Sequence, residues 1–491
     1  MTSPMFHPEP LDRFDAMIDP AIEDGEDRPD GRVFTPASTA LYTDLYHVDA
    51  AYISWLNEHN GASTFDLYTR TTPFGGSFMV AAGLGPAFDY IRNFSYADDD
   101  LAYLERIKGY PPAFLAYLKH LRFSGSIEAV PEGEIVFPNE PLLRVTAPFV
   151  EAILLESGLL RTVGVSTLIA TKAARLTIAA QGRSISDFAF RRAHDPHLAA
   201  RSAYIGGCTS TSFLAAAKEY DIQSAGTVPH ALIQAFVDEL TAFRAIATSL
   251  GSYSLLLDTY DVATGIRHAV QAAREASATH DHKLAAVRLD SGDLAEDSRM
   301  VRTVLDDAGL GDVDVLVSGD IDEYRIEQLL MGGAPIDGFG VGGNLGVGLG
   351  TVESGTVGGV IGAVYKLVWY ESGQHNRSAP ARIKVAGAKS TWPGIKRAWR
   401  IGSFARDVIQ LHDEGAPADG RLLSEPWIQN GQLVSREPTL REIRARAERS
   451  IAALPPSLRT LVAREPYPVE PSEALVRLRD KTIDSLDLSH E

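Results

Sequence analysis

The sequence predicts an α/β protein whose larger part is a TIM-like α/β barrel. Three observations carry that expectation. Between Ser184 and Val341, six short apolar runs alternate with helical patterns, the order produced by right-handed βαβ units and a parallel sheet. Each run ends in a charged, polar or glycine residue, and an α/β barrel places its chemistry at the C-terminal ends of its strands. Upstream, short strands split by Pro and Gly between about residues 124 and 148 read as a small β insert.

In chain order, residues 1–36 are rich in Pro and Asp with little periodicity and read as a disordered acidic leader. Ala40–Leu56 carries apolar residues at helical spacing. Ser63–Tyr68 alternates like a strand, Pro73-Phe74-Gly75-Gly76 is a turn, and Phe78–Ala82 is a second strand. Helices follow at Leu84–Phe94, Leu101–Lys108 and Pro112–Leu121, then the insert strands Ile127–Val130, Glu134–Val136 and Leu142–Val145, then a helical pair over Phe149–Gln181.

The barrel strands are expected at Ser184–Phe188, Ile222–Gly226, Ser254–Leu257, Leu284–Val287, Val313–Val317 and Ile336–Val341. Helices between them are read at Ala199–Ala203 with Ser212–Glu219, His230–Leu250, Val262–Ala276, Leu294–Leu310 and Ile321–Met331. Six strands fall short of the eight that close such a barrel, and earlier strands or Val364–Tyr370 are candidates to complete it. After about Gly373 the chain reads as looser, with one strand at Arg382–Val385 and charged surface helices at Thr439–Leu454 and Ser472–Arg479. The expected division is a leader (1–36), an N-terminal α/β domain (37–183), the barrel (184–370) and a C-terminal extension (371–491) that completes the N-terminal domain.

Composition narrows the partners. The 491 residues are 45% hydrophobic and 22% charged, which suits a soluble globular chain with a large core. A net charge of -18 without a long basic run argues against nucleic acid or an anionic membrane. The single cysteine, Cys208, fits a reducing cytoplasm. No stretch spans a bilayer, and the N-terminus lacks a signal-peptide pattern.

The strand ends carry the candidate site. Phe190, Arg191 and Arg192 follow the first strand, and Gly226-Thr227-Val228-Pro229-His230 the second. Asp258 follows the third, Arg288, Asp290 and Asp293 the fourth, Ser318-Gly319-Asp320 the fifth, and Gly340, Gly342 and Gly343 the sixth. Arginine suits carboxylate or phosphate, while paired aspartates suit a hard cation or a cationic transition state. Simpler roles stay open: Asp290-Ser291-Gly292-Asp293 and Asp258 also fit helix caps, and His230 a loop histidine. Gly338-Phe339-Gly340-Val341-Gly342-Gly343 matches GxGxxG, so a dinucleotide-dependent oxidoreductase is a rival reading. The poorly helical continuation and the late position in the βα series favour a phosphate cradle.

Many of these segments, taken in order, resemble one family. Thr43-Asp44-Leu45-Tyr46, Phe65-Asp66-Leu67, Pro73-Phe74-Gly75-Gly76, Thr171-Lys172-Ala173-Ala174-Arg175, Arg191-Arg192-Ala193, Tyr204-Ile205-Gly206-Gly207, Gly226-Thr227 with His230, Arg288 to Asp293, Asp320 to Tyr324, Phe339 to Gly342 and Val364 to Val368 are similar to nicotinate phosphoribosyltransferase. The resemblance covers about residues 40–400. It implies an irregular α/β barrel in the type II phosphoribosyltransferase fold, working as a homodimer with shared active sites. It also implies transfer of phosphoribose from phosphoribosyl pyrophosphate to nicotinate, in NAD salvage, with Mg²⁺ and with ATP as co-substrate.

By the same resemblance, His230 is the phosphorylated histidine, and Arg288, Asp290 and Asp293 act on the reacting sugar. Tyr46, Phe190 and Arg191 meet nicotinate. Gly319, Asp320, Gly340, Gly342, Gly343 and Lys172 hold the phosphoribosyl group, and Asp258, Asp290 and Asp293 hold the metal. A sibling enzyme using nicotinamide or quinolinate is the alternative within this chemistry. The chain departs from the common pattern at Pro229 and Ala231 around His230, at Gly207-Cys208-Thr209-Ser210-Thr211, and at Gly319. These differences bear on ATP coupling more than on nicotinate.

Overall fold

The computed structural model describes residues 38–279, 282–350, 359–371, 380–387 and 390–486. The acidic leader and the tail after Leu486 lie outside the described residues.

Two sheets organise the chain. The first is six-stranded and antiparallel, in the order Ala363–Glu371, Ala62–Thr69, Leu143–Pro148, Ser126–Ala129, Glu425–Gln429, Gln432–Leu433. The strands read between 124 and 148 thus lie inside this sheet, except Ile135–Val136, which pairs with Met79–Val80. Segments far apart in sequence assemble it, and the 371–491 segment supplies two of its strands. Val364–Tyr370, a candidate to complete the barrel, pairs here with Ala62–Thr69. The Tyr365 ring stacks on Phe65 at 4.7 Å, and its hydroxyl donates to the Ala152 carbonyl at 3.0 Å. The helix Phe149–Leu154 packs on this sheet, Leu45–Leu56 packs on that helix, and both share its core.

The second sheet is parallel and seven-stranded: Gln223–Ser224, Ser210–Thr211, Ser184–Asp187, Gly338–Val341, Asp314–Val317, Lys283–Leu289, Ser252–Leu256. All six expected strands are present. Ser210–Thr211 is a seventh, too short and too polar to show a period. Val287, Leu289, Val315, Val317, Phe339 and Val341 bury between the flanking helices. No ladder joins the outer strands Gln223–Ser224 and Ser252–Leu256 among the described residues, so the sheet is a curled half barrel. The helix expected over His230–Leu250 divides into His230–Ala235 and Glu239–Ser249, because Asp238 caps the second by accepting the Thr241 N–H at 2.7 Å.

The long helix Glu156–Ala179 joins the two halves, packing on Met79–Val80 and on the helix Pro196–Ile205. Its Lys172 and Arg175 meet Glu323, at the start of the helix Glu323–Met331, in a buried ionic cluster. Burial would push the Glu323 carboxyl up, but the two cations outweigh it and hold it below the usual carboxylate range. Removing one partner strands buried charge. Glu323→Ala is therefore expected to cost about 3–5 kcal/mol of stability, read from urea unfolding.

The segment after Gly373 is more ordered than expected. Gly420–Leu422, Lys396–Ile401, Arg406–Leu411 and Val469–Pro471 form a four-stranded sheet. Its inward positions include Lys396, Arg400 and Asp407, all buried, so hydrophobic alternation could not reveal it. Arg400 donates to Asp407 at 2.7 and 3.1 Å, and Lys396 pairs with Asp66 at 2.8 Å. The strand expected at Arg382–Val385 is absent; Ala381 alone bridges Trp369. Both expected surface helices form, as Leu440–Ala453 and Glu473–Asp484.

Candidate active site

The loops at the C-terminal ends of the parallel strands converge on Arg288. This residue lies near the end of Lys283–Leu289, where its guanidinium is held on several sides. Nε donates to Ser318 Oγ at 2.7 Å, Nη1 to Thr227 Oγ1 at 2.7 Å, and Nη2 to Asp290 Oδ1. The cation also sits 5.6 Å from the centre of the Phe188 ring. The partners come from three different strand ends. Since Arg has five N–H donors, two remain for a ligand.

Asp290 is the second element. Its Oδ1 accepts from both Arg288 and Ser318. Half-burial would raise its pKa, but these hydrogen bonds and the Arg288 charge hold it below the usual carboxylate range. Its backbone N–H donates to Asp258 Oδ2 at 3.0 Å, and Ser291 donates to the same oxygen. Gly319 makes the arrangement possible: with φ +88° it lies so close that a Cβ would fall 1.9 Å from the Asp290 carbonyl oxygen.

Side chains from the two outer strands' loops also meet. His230, just past Gln223–Ser224, has its Nδ1 3.1 Å from the Oγ1 of Thr259, just past Ser252–Leu256. Together with Arg288–Thr227, this contact links the two ends of the curled sheet through polar side chains. The half barrel is thus joined across its open side by the residues of the candidate site.

Other expected residues fall outside this cluster. Asp293 is exposed and caps the helix Leu294–Asp307, accepting the N–H groups of Ala295 and Glu296, each at 3.1 Å. The cap foreseen for Asp258 belongs to Asp261, which accepts the Thr264 N–H at 2.8 Å. Lys172, only 1% exposed, gives its ammonium to Glu323 and the Leu349 carbonyl, which leaves no open face for a phosphate here. Asp320 is exposed, with Arg192 3.7 Å away. Tyr46 is 61% exposed on Leu45–Leu56, beside Ser157 and Glu156 rather than at the strand ends.

Arg191 is exposed. Phe190 is 49% exposed, and Gly340 lets the Phe188 ring approach to where a Cβ would be 2.3 Å away. The helix after the glycines, Gly343–Gly346, is only four residues long, which removes the dinucleotide-binding context that GxGxxG requires. Sequence reasoning missed Thr227 and Ser318 as partners of Arg288, and Asp187 inside its strand. Asp187 is buried, which pushes its carboxyl up.

Chemically, the cluster offers a guanidinium for an anion and an ionised carboxylate beside it. Asp258 Oδ1 is buried without a partner among the described residues, an acceptor suited to a hydrated cation. No group of three His, Cys, Asp or Glu side chains among them could hold a metal alone. Mg²⁺ is commonly bound by one or two carboxylates together with substrate phosphates, and this donor set fits that mode.

Residues 41–164 match the model of the nicotinate phosphoribosyltransferase N-terminal domain, and 412–479 that of the C-terminal domain. Over 445 residues the chain is 38% identical to nicotinate phosphoribosyltransferase pncB2 of Mycobacterium tuberculosis, covering 89% of this chain and 92% of that protein. It is 36% identical to nicotinate phosphoribosyltransferase of Bacillus subtilis, covering 90% and 94%. The crystal structure of human nicotinic acid phosphoribosyltransferase superposes with a TM-score of 0.75 at 28% identity, covering 89% of this chain and 99% of that one. With fold and sequence in agreement, the chain belongs to the nicotinate phosphoribosyltransferase family.

Proposed function

We propose that this chain transfers the 5-phosphoribosyl group of phosphoribosyl pyrophosphate to nicotinate, giving nicotinate mononucleotide and pyrophosphate, as a step of NAD salvage. The observation that carries the reading at the level of the site is Arg288, held by Thr227, Ser318 and Asp290 at the converging strand ends. The nicotinate ring nitrogen attacks the anomeric carbon with its own lone pair while the carbon–oxygen bond to pyrophosphate breaks. No strong base is needed, and much of the acceleration comes from positioning. Asp290, kept ionised, stabilises the positive charge that develops on the sugar. Arg288 meets an anionic group of a substrate, and Arg191 recognises the ring carboxylate, which nicotinamide lacks. The backbone of Gly340, Gly342 and Gly343 receives the 5′-phosphate. Asp258 would meet the Mg²⁺ that accompanies pyrophosphate, which when bound would supply neutralisation of charge on the leaving group.

ATP is the co-substrate in this reading, and His230 is the residue phosphorylated. Contact of Nδ1 with Thr259 leaves Nε2 as the open nitrogen. The active unit is a homodimer. Leu45, Tyr46, Ile53 and Leu56 are exposed apolar residues on one helix, a surface suited to burial against a second copy. Tyr46, remote from the strand ends of its own chain, would then stack on nicotinate bound by the partner. No described helix is long and apolar enough to cross a membrane.

His230→Ala is expected to lose ATP stimulation while retaining residual transfer, and to take up no acid-labile phosphate from γ-labelled ATP. Normal stimulation of the variant by ATP would remove His230 from this role.

A further inference from the structure

The His230 ring is held by a residue far from it in sequence. His230 opens the short helix His230–Ala235, and its neighbours Pro229 and Ala231 carry no polar side chain that could fix an imidazole. The one hydrogen-bond partner of the ring among the described residues is Thr259, whose Oγ1 lies 3.1 Å from Nδ1. Thr259 follows Ser252–Leu256, at the opposite edge of the curled sheet from the strand before His230. Both residues are half-buried. Half-burial raises the Asp290 pKa, and His230 joins Ser318 and Arg288 in lowering it, so the ring lies within electrostatic reach of the cluster. Asp258, next to Thr259, is not the partner of the ring: its Oδ2 accepts from the Asp290 N–H and from Ser291, and its Oδ1 has no partner among the described residues.

Phosphoryl transfer to an imidazole needs a neutral ring with a lone pair on the attacking nitrogen. When Nδ1–H donates to Thr259 Oγ1, that lone pair is on Nε2. Nε2 bonds to the γ-phosphorus of ATP while the bond from this phosphorus to the bridging oxygen breaks, and ADP leaves with the electron pair. No proton moves. The ring keeps its hydrogen on Nδ1 and gains positive charge as the new bond forms. The hydrogen bond to Thr259 therefore strengthens during the step, because its donor becomes cationic. An interaction stronger in the transition state than before it raises the rate without tightening ATP binding. A hydroxyl partner is also uncharged, so it does not favour a protonated ring before ATP arrives, as a carboxylate in its place would.

We infer that Thr259 is the positioning residue for phosphorylation of His230: it accepts from Nδ1–H and so directs Nε2 at the γ-phosphate of ATP. The inference rests on the reading that His230 is the residue phosphorylated.

The test follows uptake of phosphate from γ-labelled ATP by the full-length protein, Thr259→Val, Thr259→Ser and His230→Ala, over a range of ATP concentrations, with thermal melting of each. Valine keeps the branched shape of threonine without the hydroxyl, and serine keeps the hydroxyl. The maximal rate of uptake is expected to fall about ten-fold in Thr259→Val, as for loss of one hydrogen bond to a charged group. The ATP concentration giving half that rate should stay within about two-fold of the parent, and Thr259→Ser should recover most of the rate. A parental rate in Thr259→Val, or a rate in Thr259→Ser as low as that of Thr259→Val, overturns the inference and leaves His230 in its role. So does a slower Thr259→Val that also binds ATP weakly and melts at a lower temperature, which marks a merely structural role. No uptake by the parent, or uptake by His230→Ala equal to the parent's, overturns the phosphohistidine reading, and the inference with it.

Discussion

Asp290→Asn is expected to lower kcat by about 10²–10³-fold, with the KM values nearly unchanged and the unfolding midpoint lowered at neutral pH. Asparagine keeps an oxygen that can accept from Ser318 and Arg288, so the geometry of the cluster survives while its negative charge does not. The whole loss therefore reports electrostatic stabilisation of the sugar cation. A pH signature accompanies it. The folded Asp290 pKa lies below that of the unfolded chain, so its contribution to stability is full above the unfolded value and is lost as pH falls through the folded one. Asparagine removes that dependence, which acid unfolding of the two proteins measures. An unchanged kcat would reduce Asp290 to a support for Arg288.

Arg288→Lys is expected to cost about 10- to 100-fold in kcat/KM. Lysine keeps the charge but, as a point ammonium, cannot reproduce the fork held by Ser318, Thr227 and Asp290. The kinetic split identifies the anion that Arg288 meets. A raised KM for nicotinate assigns it to the ring carboxylate, and a raised KM for phosphoribosyl pyrophosphate assigns it to a phosphate. Loss of the Thr227 bond also loosens one of the side-chain links across the open side of the half barrel. Faster amide exchange in Gly226–Val228 should follow, while the interior strands Asp314–Val317 and Gly338–Val341 keep their protection.

How legible these features were depends on what each residue faces. The parallel strands were readable because Val287, Leu289, Val315 and Val317 make apolar runs between polar loops. Ser210–Thr211 was hidden by its length of two residues and its hydroxyls. In the C-terminal sheet, Arg400 and Asp407 occupy buried positions by pairing with each other, and a pattern built on hydrophobicity reads such positions as surface. Val364–Tyr370 read correctly as a strand but not as a member of the antiparallel sheet, since pairing with Ala62–Thr69 spans about 300 residues.

The site divides in the same way. Residue type and position at strand ends marked Arg288, Asp290 and His230. They could not reveal that Thr227 and Ser318, 61 and 30 residues away from Arg288, complete its coordination. Nor could they separate Asp290, which enters the cluster, from Asp293, whose carboxylate is taken by a helix cap. Lys172 lies in one of the segments that carry the resemblance, yet its charge meets Glu323 in the interior.

The central claim is that this strand-end cluster joins phosphoribose to nicotinate. The most direct test incubates the purified protein with phosphoribosyl pyrophosphate and Mg²⁺, with nicotinate, nicotinamide or quinolinate in parallel, with and without ATP, and measures pyrophosphate and mononucleotide released. Mononucleotide and pyrophosphate are expected in equal amounts from nicotinate, increased by ATP and abolished or nearly so in Asp290→Asn. Mononucleotide formed from nicotinamide or quinolinate but not from nicotinate would contradict it.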